Sequence, residues 1–402
     1  MVPPEPPRRR KGQKKKRKGD GMLTEKLYEA DAYCKDFEGR VLSCEAGKAG
    51  FAVVLDRTAF YPEGGGQPCD LGTLGAARVL DVREREGAVV HTVDAPLSGT
   101  VRGRVDWDRR FDLMQQHSGE HLISGTAHRL YGCENVGFHM GAELVTIDFD
   151  RVLGWEELQR VEAEVNAAIW RDLETQVRYY ESEAACPEDY RSKKAIPGRL
   201  RLVEFPGVDL CACCGTHVAH TGEIGLVKLL SVVKFHQGVR VELVCGKRAY
   251  AYLAAVCAQN RTVSGLLSAK PLETARAVER LQGELNAVKQ ERAAWESRYI
   301  AARAEALRGA GDLCLFEPGL SPDALRRLCV EIMALCGGRC AVFSGDDESG
   351  WAYAVGLEGG DLRSFVKELN AALKGRGGGK PNFAQGRVSA KRSEIEAYLA
   401  AR

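Results

Sequence analysis

Short runs of alternating apolar and polar residues, broken by glycine, fill the chain from Met22 to about Arg110: "EGRVLSCEAG", "GFAVVLDRTAFY", "GTLGAARVLDVRE", "GAVVHTVDA" and "GTVRGRVDW". A period of two sends successive side chains to opposite faces, so these runs predict a small antiparallel, barrel-like β domain over 22–110. Between two of the strands lies a polar, glycine-rich stretch, "TAFYPEGGGQPCDLG", Thr58 to Gly72. It reads either as a tight turn needing positive φ or as a loop with chemistry of its own.

The period then lengthens. In "WDRRFDLMQQHSGEHLISGTAHRLYG", Phe111, Met114, His117, His121 and Leu122 fall on overlapping faces at three- to four-residue spacing, which predicts a helix. Strands ("ELVTIDFD", "RLRLVEFPGVDL", "IGLVKLLSVVKF", "GVRVELVCG") and a second helix ("GWEELQRVEAEVNAAIWRD") complete an α/β sandwich over 111–250. Val278, Leu281, Leu285 and Val288 follow heptad spacing, and Trp295 and Tyr299 continue it past Arg292. This predicts one long helix at 265–310, inside a helical linker or short coiled coil over 251–311 that either connects or dimerises. A small α/β domain over 312–402 closes the chain, with Ser321 as N-cap and Pro322 at the first helical position of its first helix. The fold class is therefore α+β.

Composition narrows the setting. With 402 residues, 45% apolar and 28% charged, the chain has ample core for several domains. Its most apolar stretch, around Leu226–Phe235, is short and broken by Lys228 and Lys234, so no membrane span is expected. No hydrophobic segment of signal-peptide type follows the basic start, and the expected compartment is the reducing cytoplasm. There the fourteen cysteines stay free, and those scattered singly read as small core residues. The net charge of +2 is uneven: residues 1–21 carry nine Lys/Arg against Glu5 and Asp20, a local +7, which leaves −5 for the rest. This segment lacks periodicity and is expected to be a disordered basic tail, either solvated or RNA-touching.

Candidate chemistry concentrates in "LCACCGTHVAH", residues 210–220, with three cysteines and two histidines in eleven positions. About ninety residues upstream, His117 and His121 stand at i and i+4, so both imidazoles project from one helix face and can share an ion. The glutamate follows too late for the zinc-protease HExxH pattern. Alone, the histidine pair is a weak signal and reads more readily as two core or surface histidines. A helix pair joined to a distant cysteine–histidine turn is a plausible zinc arrangement. Asp209 and Thr216 flank the second half and suit an outer shell around such ligands.

"HSGEH" together with "CCGTHVAHTGEIG" resembles the editing domain of alanyl-tRNA synthetase and its free-standing relatives, the alanyl-tRNA editing proteins. "AFYPEGGGQPCD" is similar to the glycine-rich motif of that family, "MLTEKLYEAD" to the start of its free-standing members, and "GRGGGKPNFAQG" to the C-terminal DHHA1 signature of the longer ones. These motifs cover residues 22 to about 390, and they favour Met22 as the functional beginning. No ATP-binding aminoacylation domain precedes them, so a free-standing editor rather than a synthetase is expected.

The resemblance implies a Zn2+ site made of His117, His121, Cys213 and His217, with Cys214 standing where the family usually has glycine. Cys211 and His220 are then flankers. The implied reaction is hydrolysis of the ester that joins serine, and also glycine, to the 3′ end of alanine tRNA. An alanine pocket cannot strongly exclude either amino acid, so a second sieve is needed. Glu120, between the two helical histidines, is the candidate general base. Gln67, Asn135, His139 and Thr216 are the candidate substrate-binding residues. Lys374, Arg376, Lys380 and Arg387, read as lying on a flexible glycine loop, are the candidate tRNA-backbone contacts. A zinc-stabilised RNA-binding module without catalysis is the competing reading. A DHHA1-associated phosphoesterase is another, although the aspartate-rich motifs of that class are absent.

Overall fold

The computed structural model describes residues 23–192 and 198–402, so the basic tail lies outside the described residues. The chain divides into two compact units, the first ending at Gln259 and the second running from Asn260 to Arg402.

In the first unit, six strands close into a barrel: β1 (Asp36–Gly47), β2 (Gly50–Leu55), β3 (Gly72–Leu74), β4 (Ala77–Arg85), β5 (Ala88–Val93) and β6 (Thr100–Val105). Around the barrel the order is β1-β2-β5-β4-β3-β6, with every pairing antiparallel. Alternate residues (Val53, Leu55, Val79, Val89, Val93, Val101, Val105) fill its interior together with Phe60 of the glycine-rich stretch. Closure removes the free edges that short strands would otherwise expose.

Helix α1 (Trp107–Tyr131) leaves the barrel directly, capped by Asp106, whose carboxylate accepts the Arg109 amide at 3.2 Å. It is buried on nearly all sides from Leu113 to Ala127, polar residues included. Around it stand a four-stranded and a three-stranded antiparallel sheet. The first contains β7 (Asn135–Met140) and β8 (Val145–Phe149), and helix α2 (Trp155–Trp170) follows. The second comprises β9 (Gln176–Tyr180), β10 (Leu200–Phe205) and β11 (Asp209–Ala212), in that order. β12 (Val227–Phe235) and β13 (Gly238–Cys245) complete the four-stranded sheet in the order β12-β13-β8-β7.

So central a helix needs close approach. A Cβ on Gly125 would lie 2.5 Å from Asp209 Cβ and 2.6 Å from the Val208 carbonyl, so only glycine lets α1 press against β11. Arg110 ties the helix to the glycine-rich stretch. Fully buried, it bonds to Asp70, to the Ala59 carbonyl and, at 2.7 Å, to the Ala32 carbonyl.

Helix α3 (Gly246–Leu266) crosses the boundary into the second unit, and α4 (Thr274–Ala306) follows. The expected single helix at 265–310 is thus interrupted near its start. Ser268 adopts φ 49° and Pro271 begins a separate 3-10 turn, and proline cannot continue a preceding helix. A mixed sheet follows: β14 (Gly311–Phe316), α5 (Pro322–Cys336), β15 (Gly337–Asp346), β16 (Gly350–Leu357), α6 (Arg363–Ala372), β17 (Arg376–Lys380), β18 (Phe383–Val388) and α7 (Arg392–Ala400). Its order is β14-β15-β16-β18-β17, parallel only between β14 and β15. Ser321 caps α5 as expected, accepting the Ala324 amide at 3.2 Å. The segment read as a flexible glycine loop is instead the edge strand β17. Its glycines suit the crowding: a Cβ on Gly379 would meet the Phe383 carbonyl at 2.2 Å.

Among the described residues no helix is long and apolar enough to cross a membrane, and all fourteen cysteines are free.

Candidate metal centre

Helix α1 presents His117 and His121 one turn apart, and the loop after β11 brings Cys213 and His217 against them. The four ligand atoms all lie within 4.8 Å of one another. Cys213 Sγ stands 3.5 Å from His117 Nε2 and 3.4 Å from His217 Nε2. The loop can come this close because Gly215 has no side chain, as a Cβ there would lie 2.2 Å from the His117 ring. Cys214 is exposed and turned out of the cluster, and His220 is exposed beside Asp172.

Each imidazole is held through its other nitrogen. His117 Nδ1 donates to Gln67 Oε1 at 2.8 Å, and His121 Nδ1 donates to Asp209 Oδ2 at 2.8 Å. His217 Nδ1 lies 3.4 Å from Ser118 Oγ. Occupied Nδ1 atoms fix the ring orientation and leave Nε2 of His117 and His217 facing the thiol, the arrangement metal-ligating histidines use. Gln67 is fully buried and reaches both halves of the site, since its amide also donates to Thr216 Oγ1 at 2.8 Å and accepts the Thr216 amide at 3.2 Å. The glycine-rich stretch is therefore a built loop that braces the cluster.

The electrostatics suit a cation. Burial alone pushes the Cys213 thiol up, but the facing His117 and His217 rings carry it well below the usual thiol range. Burial holds the His217 ring down at about 3, keeping it neutral. Burial opposes charge on His121 too, yet its bonds to Asp209 and Cys213 carry it up to about 10. His117, His121, Cys213 and His217 would hold a cation, which would stand where a proton on His121 Nε2 otherwise sits. Three imidazoles and a cysteine sulfur, each with a second partner, fit a bound transition-metal ion.

Glu120 is buried beside the cluster. Its Oε1 accepts from Ser124 Oγ at 2.7 Å and from Asn135 Nδ2, which also donates to Ser124 Oγ at 2.9 Å. A register shift between Asp148 and Phe149 of β8 changes the alternation along β7. Asn135 and Phe138 consequently both point to α1, and Phe138 stacks on His117 at 5.4 Å. His139, the next residue, is exposed on the opposite face, so the structure does not bring it to the cluster. Asn135, Gln67 and Thr216 do lie there, each with side-chain bonds inside the protein. Lys374, Arg376, Lys380 and Arg387 are all exposed on or beside β17 and β18.

A cavity of about 650 Å3 adjoins the outer shell, lined among others by Asn135, Asp209, Tyr190 and Arg191. Ser118, Ser124, Phe138 and Arg191 escaped the sequence reading. The two serines lie within the helical stretch already marked by the histidines, whereas Arg191 carries no local signal.

A histidine–cysteine cluster between a barrel and two sheets lies in a chain that ends in a separate mixed-sheet unit, and three family models match this chain in succession. They match "tRNA synthetases class II (A)" over residues 25–109, "Threonyl and Alanyl tRNA synthetase second additional domain" over 200–242, and "DHHA1 domain" over 301–401. The Mus musculus alanyl-tRNA editing protein Aarsd1 is 33% identical, across 64% of this chain and 67% of its own length. The Pyrococcus horikoshii alanyl-tRNA editing protein AlaX-L is 28% identical, across 93% of this chain and 96% of its own. The chain belongs to the alanyl-tRNA editing protein family. An alanine–tRNA ligase of Ignicoccus hospitalis is 33% identical, and this chain spans 41% of its length.

Proposed function

We propose that this chain is a trans-editing hydrolase that removes serine, and also glycine, from mischarged alanine tRNA by cleaving the aminoacyl ester. The observation that carries the reading is the convergence of His117, His121, Cys213 and His217 within 4.8 Å in a chain of this family. Zinc is the metal this donor set favours. Donors around one tetrahedral zinc stand about 3.5 Å apart, given Zn–N and Zn–S bonds of roughly 2.0 and 2.3 Å, and the cluster approaches that spacing. When bound, zinc supplies positive charge that polarises the ester carbonyl or holds the substrate's amino group.

Glu120 accepts the proton of the attacking water, and Ser124 and Asn135 hold its carboxylate in place. Asn135 also lines the adjoining cavity and is the best placed of the candidate substrate contacts. Gln67 and Thr216 serve the substrate indirectly, by fixing His117 and the 213–217 loop. Lys374, Arg376, Lys380 and Arg387 contact the tRNA backbone. Arg376 and Arg387 pair directly across β17 and β18, and two like charges so placed suit a phosphate between them. Val278, Leu281, Leu285, Val288, Trp295 and Tyr299 are exposed along α4 and support a homodimer through this stripe. The enzyme acts in the cytoplasm, beside tRNA charging.

The test is deacylation of Ser-tRNA(Ala) and Gly-tRNA(Ala) against correctly charged Ala-tRNA(Ala). Cleavage of either mischarged tRNA well above the buffer rate is expected, and cleavage of neither overturns the enzyme reading. One observation favours a second reading: four protein ligands in a buried cluster are the pattern of a structural zinc, which would make the chain an RNA-binding module without catalysis. In that case tRNA binding survives and deacylation is absent.

A further inference from the structure

We propose that Arg191 is a positioning residue of the metal centre, acting through Asp209 on His121. Its guanidinium grips Asp209 with two bonds, Nε to Oδ1 at 2.7 Å and Nη2 to Oδ2 at 3.0 Å. The same Oδ2 accepts His121 Nδ1 at 2.8 Å. Asp209 therefore stands between a cation and a ligand, with both oxygens engaged. Left with the imidazole alone, a carboxylate can turn about its own bond, and the ring turns with it. Two bonds from a planar fork stop that rotation, and an ammonium group cannot make both in the same plane.

The fork itself is fixed by its backbone. The Arg191 amide donates to the Leu210 carbonyl at 2.9 Å, and the Arg191 carbonyl accepts the Ala212 amide at 2.9 Å. Arg191 thus bridges onto β11 in parallel, flanking the aspartate it holds. Asp209 is buried and lies against both the His121 ring and the Arg191 guanidinium, so one carboxylate joins the two. Arg191 and Asp209 also both line the 650 Å3 cavity, which places this link between the cavity wall and the ligand.

Zinc affinity, measured by competition with a chromogenic chelator, tests the inference. Arg191→Met is expected to raise the zinc dissociation constant about 10- to 100-fold, as loss of an outer-shell partner does, and Arg191→Lys by a smaller factor. In an Asp209→Asn background, Arg191→Met should add less than about threefold, because its route to the metal is already cut. Arg191→Lys serves the same comparison where the methionine variant does not fold. A dissociation constant within about threefold of wild type, or a loss fully additive to that of Asp209→Asn, overturns the inference. The inference rests on the metal-centre reading. Wild-type protein that takes up no zinc overturns that reading, and this inference with it, whereas wild type and variant binding zinc equally overturns Arg191 alone.

Discussion

The candidate metal centre and the glycine strand β17 are both dense in chemistry-bearing residues, yet they are built in opposite ways. At the centre, every ligand is buried or half-buried and is gripped by a second group: Gln67, Asp209, Ser118 or the Gly215 amide. On β17 and its neighbour β18, Arg376, Lys380 and Arg387 project into solvent from an edge pairing, and Arg387 alone reaches a partner among the described residues, the Ser349 carbonyl. Burial makes orientation expensive to leave undetermined, so a reactive centre comes with its own scaffold. An exposed basic strand needs only charge and reach, because its partner supplies the rest.

The largest effect should come from the scaffold. Asp70→Ala leaves Arg110 as an unpaired, fully buried charge, and loss of one partner of such a pair costs about 3–5 kcal/mol. Chemical denaturation measures this, and a loss below about 1 kcal/mol would show that the barrel loop and α1 are not coupled through this pair. His91 follows. Buried in the barrel with its ring held down to about 4, it binds no proton in the folded state between pH 6.5 and 4, whereas the unfolded chain does. Stability contributed by a neutral His91 is therefore present above about pH 6.5 and falls, by roughly 3 kcal/mol, as the pH drops to 4. Its signature is a difference between wild type and His91→Gln that depends on pH over that window, and a pH-independent difference would be evidence against it.

At the centre, Cys213→Ser should weaken zinc binding upwards of about 100-fold, while Cys214→Ser leaves it within about threefold. The reverse order would shift the ligand register by one residue. The smallest change belongs to the exposed strand. Alanine at Arg376 and Lys380 should lower the slope of tRNA affinity against salt by about one unit for each phosphate no longer neutralised, with zinc affinity untouched. An unchanged slope would remove β17 from the tRNA interface.

Much of this contrast was legible beforehand. Period-two runs located the barrel strands, three-to-four spacing located α1, and Ser321 with Pro322 located the start of α5, since these signals are local and set by backbone geometry. The HxxxH pair and the 210–220 stretch were legible as two halves of one candidate site, and the family resemblance singled out Cys213 and His217 within the second. Two misplacements had physical causes. His139 was expected at the site, but a register shift in the β7–β8 pairing gives that face to Asn135 and Phe138. "KGRGGGKP" read as a loop because glycine is a poor strand former, yet pairing with β18 and close packing against it make a strand that tolerates little else.

The sequence by itself determined the family and the α+β class, since motif order and residue type survive without coordinates, and the family resemblance implied His117, His121, Cys213 and His217 as the candidate ligands. Only the tertiary structure decided what holds them. Gln67 comes from a loop fifty positions before His117, Asp209 from a strand eighty-eight positions beyond His121, and Arg191 from a segment with no motif at all. Hydrogen-bond partners are chosen by distance in space: the sequence marked Asp209 and Gln67 near the candidate chemistry, but only the fold pairs Asp209 with His121 and Gln67 with His117.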